Sequence, residues 1–366
     1  MSSTLVNLLL RLYYPFLALL CAGILGLSLL LGALAVVFRL WVLLILAVLL
    51  LMTLGHFLWP VYLVLTAKRK KDWMELKVPR KQLRGLYDLA EEVAADCGLT
   101  PPDEVRLVAD SVAHVYEDER GKNVLCLGGV AVAAFSRPTL AGIIAHELAH
   151  FTAGDTRLSR QAAQRGRLMG ALEWQFARFK GNYANPLVWG LLLYHLLFRL
   201  AWAAASREQE FAADRYAVEH AGEKRVATAL VYLHATDFLP QARLQSLVET
   251  FVATNQPPTG LFAEQARLVR EANRRSWEDA CRKALGRGTG LFDDHPSLTE
   301  RLKAVGVSPK RALGLALDQT GEPARDLVAG WEHIELELSD RLMAPYREYF
   351  LAKMEVAQIL MGRARN

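Results

Sequence analysis

Apolar positions are spread unevenly along this 366-residue chain. Two charge-free runs come first, Phe16 to Phe38 and Leu40 to Thr66, with Arg39 the one charge between them. A membrane-spanning helix needs roughly 20 apolar residues to cross a core of about 30 Å, so each run is long enough. The pattern predicts a transmembrane hairpin with a tight turn at Arg39. Lys68-Arg69-Lys70-Lys71 follow the second run and Arg11 precedes the first. The positive-inside tendency then keeps both ends cytoplasmic and puts Arg39 on the far side. Trp59, Tyr62 and Trp73 suit the interfacial belt. A signal peptide fits less well, because the first run is too long, its leading segment is barely basic and a second run follows at once.

After residue 71 the periodicity changes. Leu83, Leu86, Leu89 and Val93 recur at helical spacing between Lys81 and Cys97, with Gly98 as the stop. Val105 to Ala109, Val112 to Tyr116 and Val124 to Leu127 read as strands parted by turn residues, a small sheet. From Arg137 or Pro138 to Thr152 the spacing predicts a helix capped by Ser136. Leu140, Ile144, Leu148 and Phe151 form its buried stripe. Residues 218–290 and 310–366 are mostly helical in pattern, apart from a loop at Asn255–Gly260. The boundaries expected are a transmembrane hairpin at 1–71, a catalytic domain at 72–310 and a helical C-terminal extension at 311–366. The fold class expected is α+β, mainly helical.

A third apolar run, Pro186 to Ala205, is broken only by His195 and Arg199. Alone it is a candidate span. The segment from Gln161 to Lys180 carries Arg165, Arg167, Glu173, Arg178 and Lys180, too polar to cross. A single crossing by 186–205 would therefore separate chemistry before residue 160 from chemistry after 205. The run is expected to pack in the domain core or lie on the bilayer surface.

Composition narrows the function. The net charge of +5 is mild, and no basic stripe with interleaved aromatics occurs, so nucleic acid is not an expected partner. The four cysteines (Cys21, Cys97, Cys126 and Cys281) are scattered, with no C-x-x-C pair to suggest a zinc knuckle or a disulfide framework.

The chemistry centres on His146-Glu147-Leu148-Ala149-His150. Side chains four apart share a helix face, so both imidazoles can reach one cation. A catalytic zinc takes N and O ligands and keeps one position for water, from which Glu147 is placed to take a proton. A third protein ligand is required. Glu173 lies at a spacing known in other zinc peptidases, but Leu172 and Trp174 flank it, and it reads as a helix-surface carboxylate. Glu210 is the better candidate. It lies in Ser206-Arg207-Glu208-Gln209-Glu210-Phe211-Ala212-Ala213-Asp214-Arg215-Tyr216-Ala217, with Asp214 one turn on and Ala203, Ala213 and Ala217 permitting close helix approach. Asp214 could accept the free N–H of a ligand imidazole.

These motifs, followed by Asp294-His295-Pro296-Ser297-Leu298-Thr299-Glu300-Arg301-Leu302, resemble peptidase family M48, which includes CAAX-prenyl and HtpX proteases. The resemblance covers roughly residues 80–305. It implies a zincin-like gluzincin domain binding one Zn2+ per chain through His146, His150 and Glu210. Glu147 would be the base and Asp214 the supporting acid. His295 would approach the open face of the zinc and stabilise the oxyanion, and Arg301 would pair with a nearby acid to hold that loop. No clear Asn-Ala-x-Ala motif precedes the metal helix; Ser111-Val112-Ala113-His114 stands there.

The reading is a multi-pass cell-membrane zinc endopeptidase with a cytoplasmic catalytic domain. Its partners are the lipid bilayer and a protein or peptide substrate, paired in extended form with an exposed sheet edge at Val124 to Leu127. A zinc-binding membrane scaffold without proteolytic activity and a zinc hydrolase of non-peptide substrates are the alternatives. The histidines at 56, 114, 195, 220, 234 and 333 lack partners at ligand spacing and read as ordinary core or surface residues.

Overall fold

The computed structural model describes residues 2–66, 74–110, 113–118, 120–152, 155–178, 185–239, 260–317 and 321–344. Trp73, Lys68–Lys71, Ser111, Val112 and most of the Asn255–Gly260 loop lie outside them. In chain order the main elements are α1 (Ser2–Phe38), α2 (Trp41–Thr66), β1 (Glu75–Leu76), α3 (Arg84–Cys97), β2 (Glu104–Val108), β3 (His114–Glu117) and β4 (Asn123–Gly128). They continue as α4 (Gly129–Ala134), α5 (Arg137–Thr152), α6 (Asp155–Arg178), α7 (Pro186–Ala221), α8 (Glu223–Ala235), α9 (Leu261–Glu271) and α10 (Arg274–Gly286). Last come α11 (Leu298–Ala304), α12 (Pro309–Leu317) and a helix over 331–344, α13. Two compact units result. One is Met1–Lys70, Arg157–Glu208 and Gly290–His295; the other is Lys71–Thr156, Gln209–Thr289 and Pro296–Asn366.

The first unit is a bundle of α1, α2, α6 and α7 up to Glu208. Arg39 takes a positive φ of 51° at the turn between α1 and α2, and Leu40 N–H bonds back to Ala35 O at 3.1 Å. Among the described residues, three helices are long and apolar enough to cross a membrane by length and composition: Ser3–Phe38, Trp41–Thr66 and Pro186–Ala221. Val6, Leu10 and Tyr13 of α1 share one apolar cluster with Phe57 of α2, Met169, Leu172 and Phe176 of α6, and Leu191 and Phe198 of α7. Leu19, Leu29, Val36 and Val37 remain exposed, the face a hydrocarbon solvent would cover.

The run from Pro186 therefore packs on the hairpin rather than in a separate domain core. Asn185 donates to Thr53 O at 2.8 Å and Tyr194 to Leu9 O at 2.6 Å. The Gly190 backbone faces the Leu20 side chain so closely that an added Cβ would lie 3.3 Å from it. The chain leaves the second unit after Thr156 and rejoins it at Gln209.

The second unit joins a four-stranded sheet, in the order β1-β2-β4-β3, to the helices around it. β2 pairs parallel with β4, and β3 antiparallel with β4. Leu76, Val105, Leu107, Leu125 and Leu127 face the main core, which they share with α3, α5 and α8. Val124 to Leu127 is therefore not an edge, as expected from sequence, but a central strand with both ladders filled. The edges are β1 and β3, and β3 lies against α5. The sheet order departs from chain order because β2 bonds directly to β4, leaving β3 outside. α5 begins as its cap predicts: Thr139 N–H donates to Ser136 Oγ at 3.4 Å. Gly142 lets α5 press on α8, where an added Cβ would lie 2.5 Å from Arg225 O.

Candidate metal centre

α5 is held by Leu140, Ile144 and Leu148, all fully buried, and this stripe turns the opposite face toward α7. His146 is buried on that face and His150 is mostly buried; Glu147, next to His146 on α5, is also buried. The second half of α7 brings Glu210 and Asp214, four residues apart and both buried. Ala213 and Ala217, also buried, keep that face of the helix slim.

The ligand atoms of His146, His150 and Glu210 all lie within 4.8 Å of one another. His146 Nε2 is 3.4 Å from Glu210 Oε2, and His150 Nε2 is 3.7 Å from Glu210 Oε1. The imidazoles meet edge to face, centroids 4.9 Å apart. Donors about 2.0–2.2 Å from a tetrahedral ion are separated by about 3.3–3.6 Å, so two imidazole nitrogens and a carboxylate at these spacings fit zinc.

Asp214 Oδ1 lies 3.0 Å from His146 Nδ1. An N–H donated there fixes the tautomer and leaves the Nε2 lone pair toward the trio. Arg301, on α11, grips Asp214 with two bonds of 2.7 Å, from Nε and Nη2. Its Nη2 is also 3.1 Å from Glu210 Oε2. α11 is anchored by a capping box between Ser297 and Glu300. The buried guanidinium, against which burial works, is held charged by Glu210, Asp214 and Glu147. Burial alone would raise the Asp214 carboxyl, but Arg301 holds it well below the usual carboxylate range. Burial and Arg301 both disfavour a charged His146, yet the bonds to Asp214 and Glu210 prevail and lift it to about 10. Burial, then the His146 charge, depress His150 to about 4. Ligand imidazoles must be neutral at the ligating nitrogen, so an ion here competes with a proton on His146.

The structure thus brings together His146, His150, Glu210, Asp214 and Arg301, with Glu147 on the same helix. His295 belongs to the first unit, where Arg207 Nη1 donates to Asp293 O at 2.7 Å and Asp293 accepts from Gly290 N–H at 2.8 Å. Glu173, read from sequence as a helix-surface carboxylate, is 27% exposed and accepts from His195 Nδ1 at 3.0 Å inside the first unit. His195 is fully buried and its Nε2 lies 3.2 Å from Tyr13 hydroxyl. It is a core histidine, as the sequence reading allowed, with a partner on each ring nitrogen. The available signals were a histidine inside the apolar 186–205 run and a glutamate in the polar 161–180 segment.

A family model, Peptidase family M48, matches residues 81–307. The chain is 30% identical over 161 residues to a Protease HtpX homolog of Persephonella marina, a match covering 41% of this chain and 56% of that protein. It is 31% identical to a Protease HtpX homolog of Salinibacter ruber, covering 39% and 53%. A Protease HtpX homolog of Methylibium petroleiphilum is 26% identical, covering 62% and 75%. The chain thus spans about half the length of the first two relatives.

Proposed function

The chain belongs to peptidase family M48, and on that premise we propose that it is a membrane-anchored zinc endopeptidase acting on protein substrates. The observation that carries this reading is the convergence of His146, His150 and Glu210 from two helices. Those three would hold the zinc. When bound, zinc supplies Lewis acidity toward a scissile carbonyl and toward the attacking water. Glu147 takes the proton of that water and hands it to the leaving amine. Asp214, fixed by Arg301, orients the His146 ring. For His295 the support is its place in the Asp294–Leu302 motif, and the role assigned is donation of a hydrogen bond to the oxyanion.

Substrate would bind extended along the outer edge of β3, His114–Glu117, which lies beside the metal helix. The basic residues that flank the apolar hairpin favour a cytoplasmic catalytic unit. By sequence the division proposed is a hairpin at 1–71, a peptidase domain at 72–310 and an extension at 311–366, while by packing Arg157–Glu208 groups with the hairpin.

The test is Glu147→Gln in the full chain, purified in detergent. Zinc content is expected to stay at the parent value while casein hydrolysis falls about 100-fold or more, the scale of general-base catalysis. Hydrolysis at the parent rate would reject the mechanism.

A further inference from the structure

The sheet has a second face, opposite the main core, and it carries a set of donors that the peptidase reading leaves unused. Side chains alternate across a sheet, so cross-strand partners share a face. Arg106 is opposite Cys126, Cys126 opposite His114, Val124 opposite Tyr116, and Glu75 opposite Val108. Glu75, His114 and Cys126 thus come from three strands, and each brings a ligand atom within 4.8 Å of the other two. Val108 and Val124, both buried, wall the group beside the buried Cys126.

The surrounding charges suit a divalent ion. Arg106 is held by Glu104 at 2.8 and 3.0 Å and by Glu75 Oε2 at 2.6 Å. Two carboxylates against one guanidinium leave one negative charge. A Cys126 thiolate would add a second, so a 2+ ion brings the cluster to neutrality. Lys77 pairs with Glu104 at 3.5 Å, but its side chain is 67% exposed and well screened by solvent. Tyr116 hydroxyl is 3.0 Å from Glu75 Oε1. A carboxylate oxygen has two lone pairs, so Oε1 can accept from Tyr116 and still face a cation.

We propose that Glu75, His114 and Cys126 form a second metal site, selective for a late transition ion such as zinc, that clamps both edge strands to β4. Thiolate and imidazole donors disfavour calcium and magnesium. Binding releases the Cys126 thiol proton to water, one per ion, as the S–metal bond forms. None of its ligands belongs to the His146 centre, although His114 lies on β3, the strand assigned above to substrate pairing.

Cobalt separates the two sites, since only this one contains sulfur. The metal-free full chain in detergent is titrated with Co2+, and near-ultraviolet thiolate-to-cobalt charge-transfer absorption is followed. The band is expected in the parent protein and in His146→Ala, and is lost in His114→Ala and in Cys126→Ser. His114 is exposed, so its replacement leaves the core intact even where the buried serine does not. Zinc per chain falls by one in the same two variants. No band in the parent protein, or a band surviving in both His114→Ala and Cys126→Ser, overturns the proposal.

Discussion

His146 and His195 are both buried, and each has a carboxylate oxygen 3.0 Å from Nδ1, Asp214 in one case and Glu173 in the other. Their second nitrogens differ. His195 Nε2 meets a single hydroxyl, that of Tyr13, at 3.2 Å. His146 Nε2 lies 3.4 Å from Glu210 Oε2 and 3.2 Å from Arg301 Nη2, with the His150 ring beside it. A ring whose two nitrogens each have one hydrogen-bonding partner holds helices together. A ring whose second nitrogen shares a carboxylate with a second imidazole has a reason to gather a cation. Burial and a carboxylate partner are common to both, so neither identifies a metal centre by itself.

The largest effect should follow from stripping the His146 side of its acid. Asp214→Ala leaves Arg301, only 4% exposed, without its two shortest bonds. Breaking one partner of a buried pair costs about 3–5 kcal/mol, and loss of the ring's orienting acid lowers metal affinity about 10- to 100-fold. Thermal unfolding and zinc competition in detergent would read both. The matching change on the other ring, His195→Ala, should leave zinc content unaltered and cost about 1–3 kcal/mol as Tyr13 loses its partner. Zinc lost in His195→Ala would erase the distinction between the rings.

A smaller effect concerns His234, whose Nδ1 is 2.9 Å from Leu230 O. Burial, and secondarily Arg301, depress it from 6.5 to about 4. Between those values the unfolded chain binds more protons than the folded one, so stability falls as pH drops through 6.5 toward 4. His234→Gln should flatten that part of the stability profile, and an unchanged slope would show that His234 does not contribute to it.

The metal helix was readable because its geometry is local: His-x-x-x-His sets two rings on one face whatever surrounds them. Glu210 lies far along the chain, and only the acids and alanines around it marked that segment of α7 as a partner. The α1–α2 hairpin was readable from length and charge alone. What escaped were relations set by strand order and helix packing. Three strands in a row suggest that the last is an edge, but the parallel pairing of β2 with β4 encloses it. The Glu75–His114–Cys126 group depends on that same order, so no spacing along the chain announces it. The Tyr13–His195–Glu173 contacts likewise need α1, α6 and α7 in one bundle, which apolar content could not specify.

The central claim is that three side chains from two helices hold one ion. It is tested most directly by elemental analysis of zinc at the His146 centre in Glu210→Ala, with the second cluster silenced by His114→Ala in both this protein and its control. The prediction is a fall of at least about tenfold in bound zinc, because two imidazoles alone hold the ion poorly. Zinc retained at the control value would contradict it.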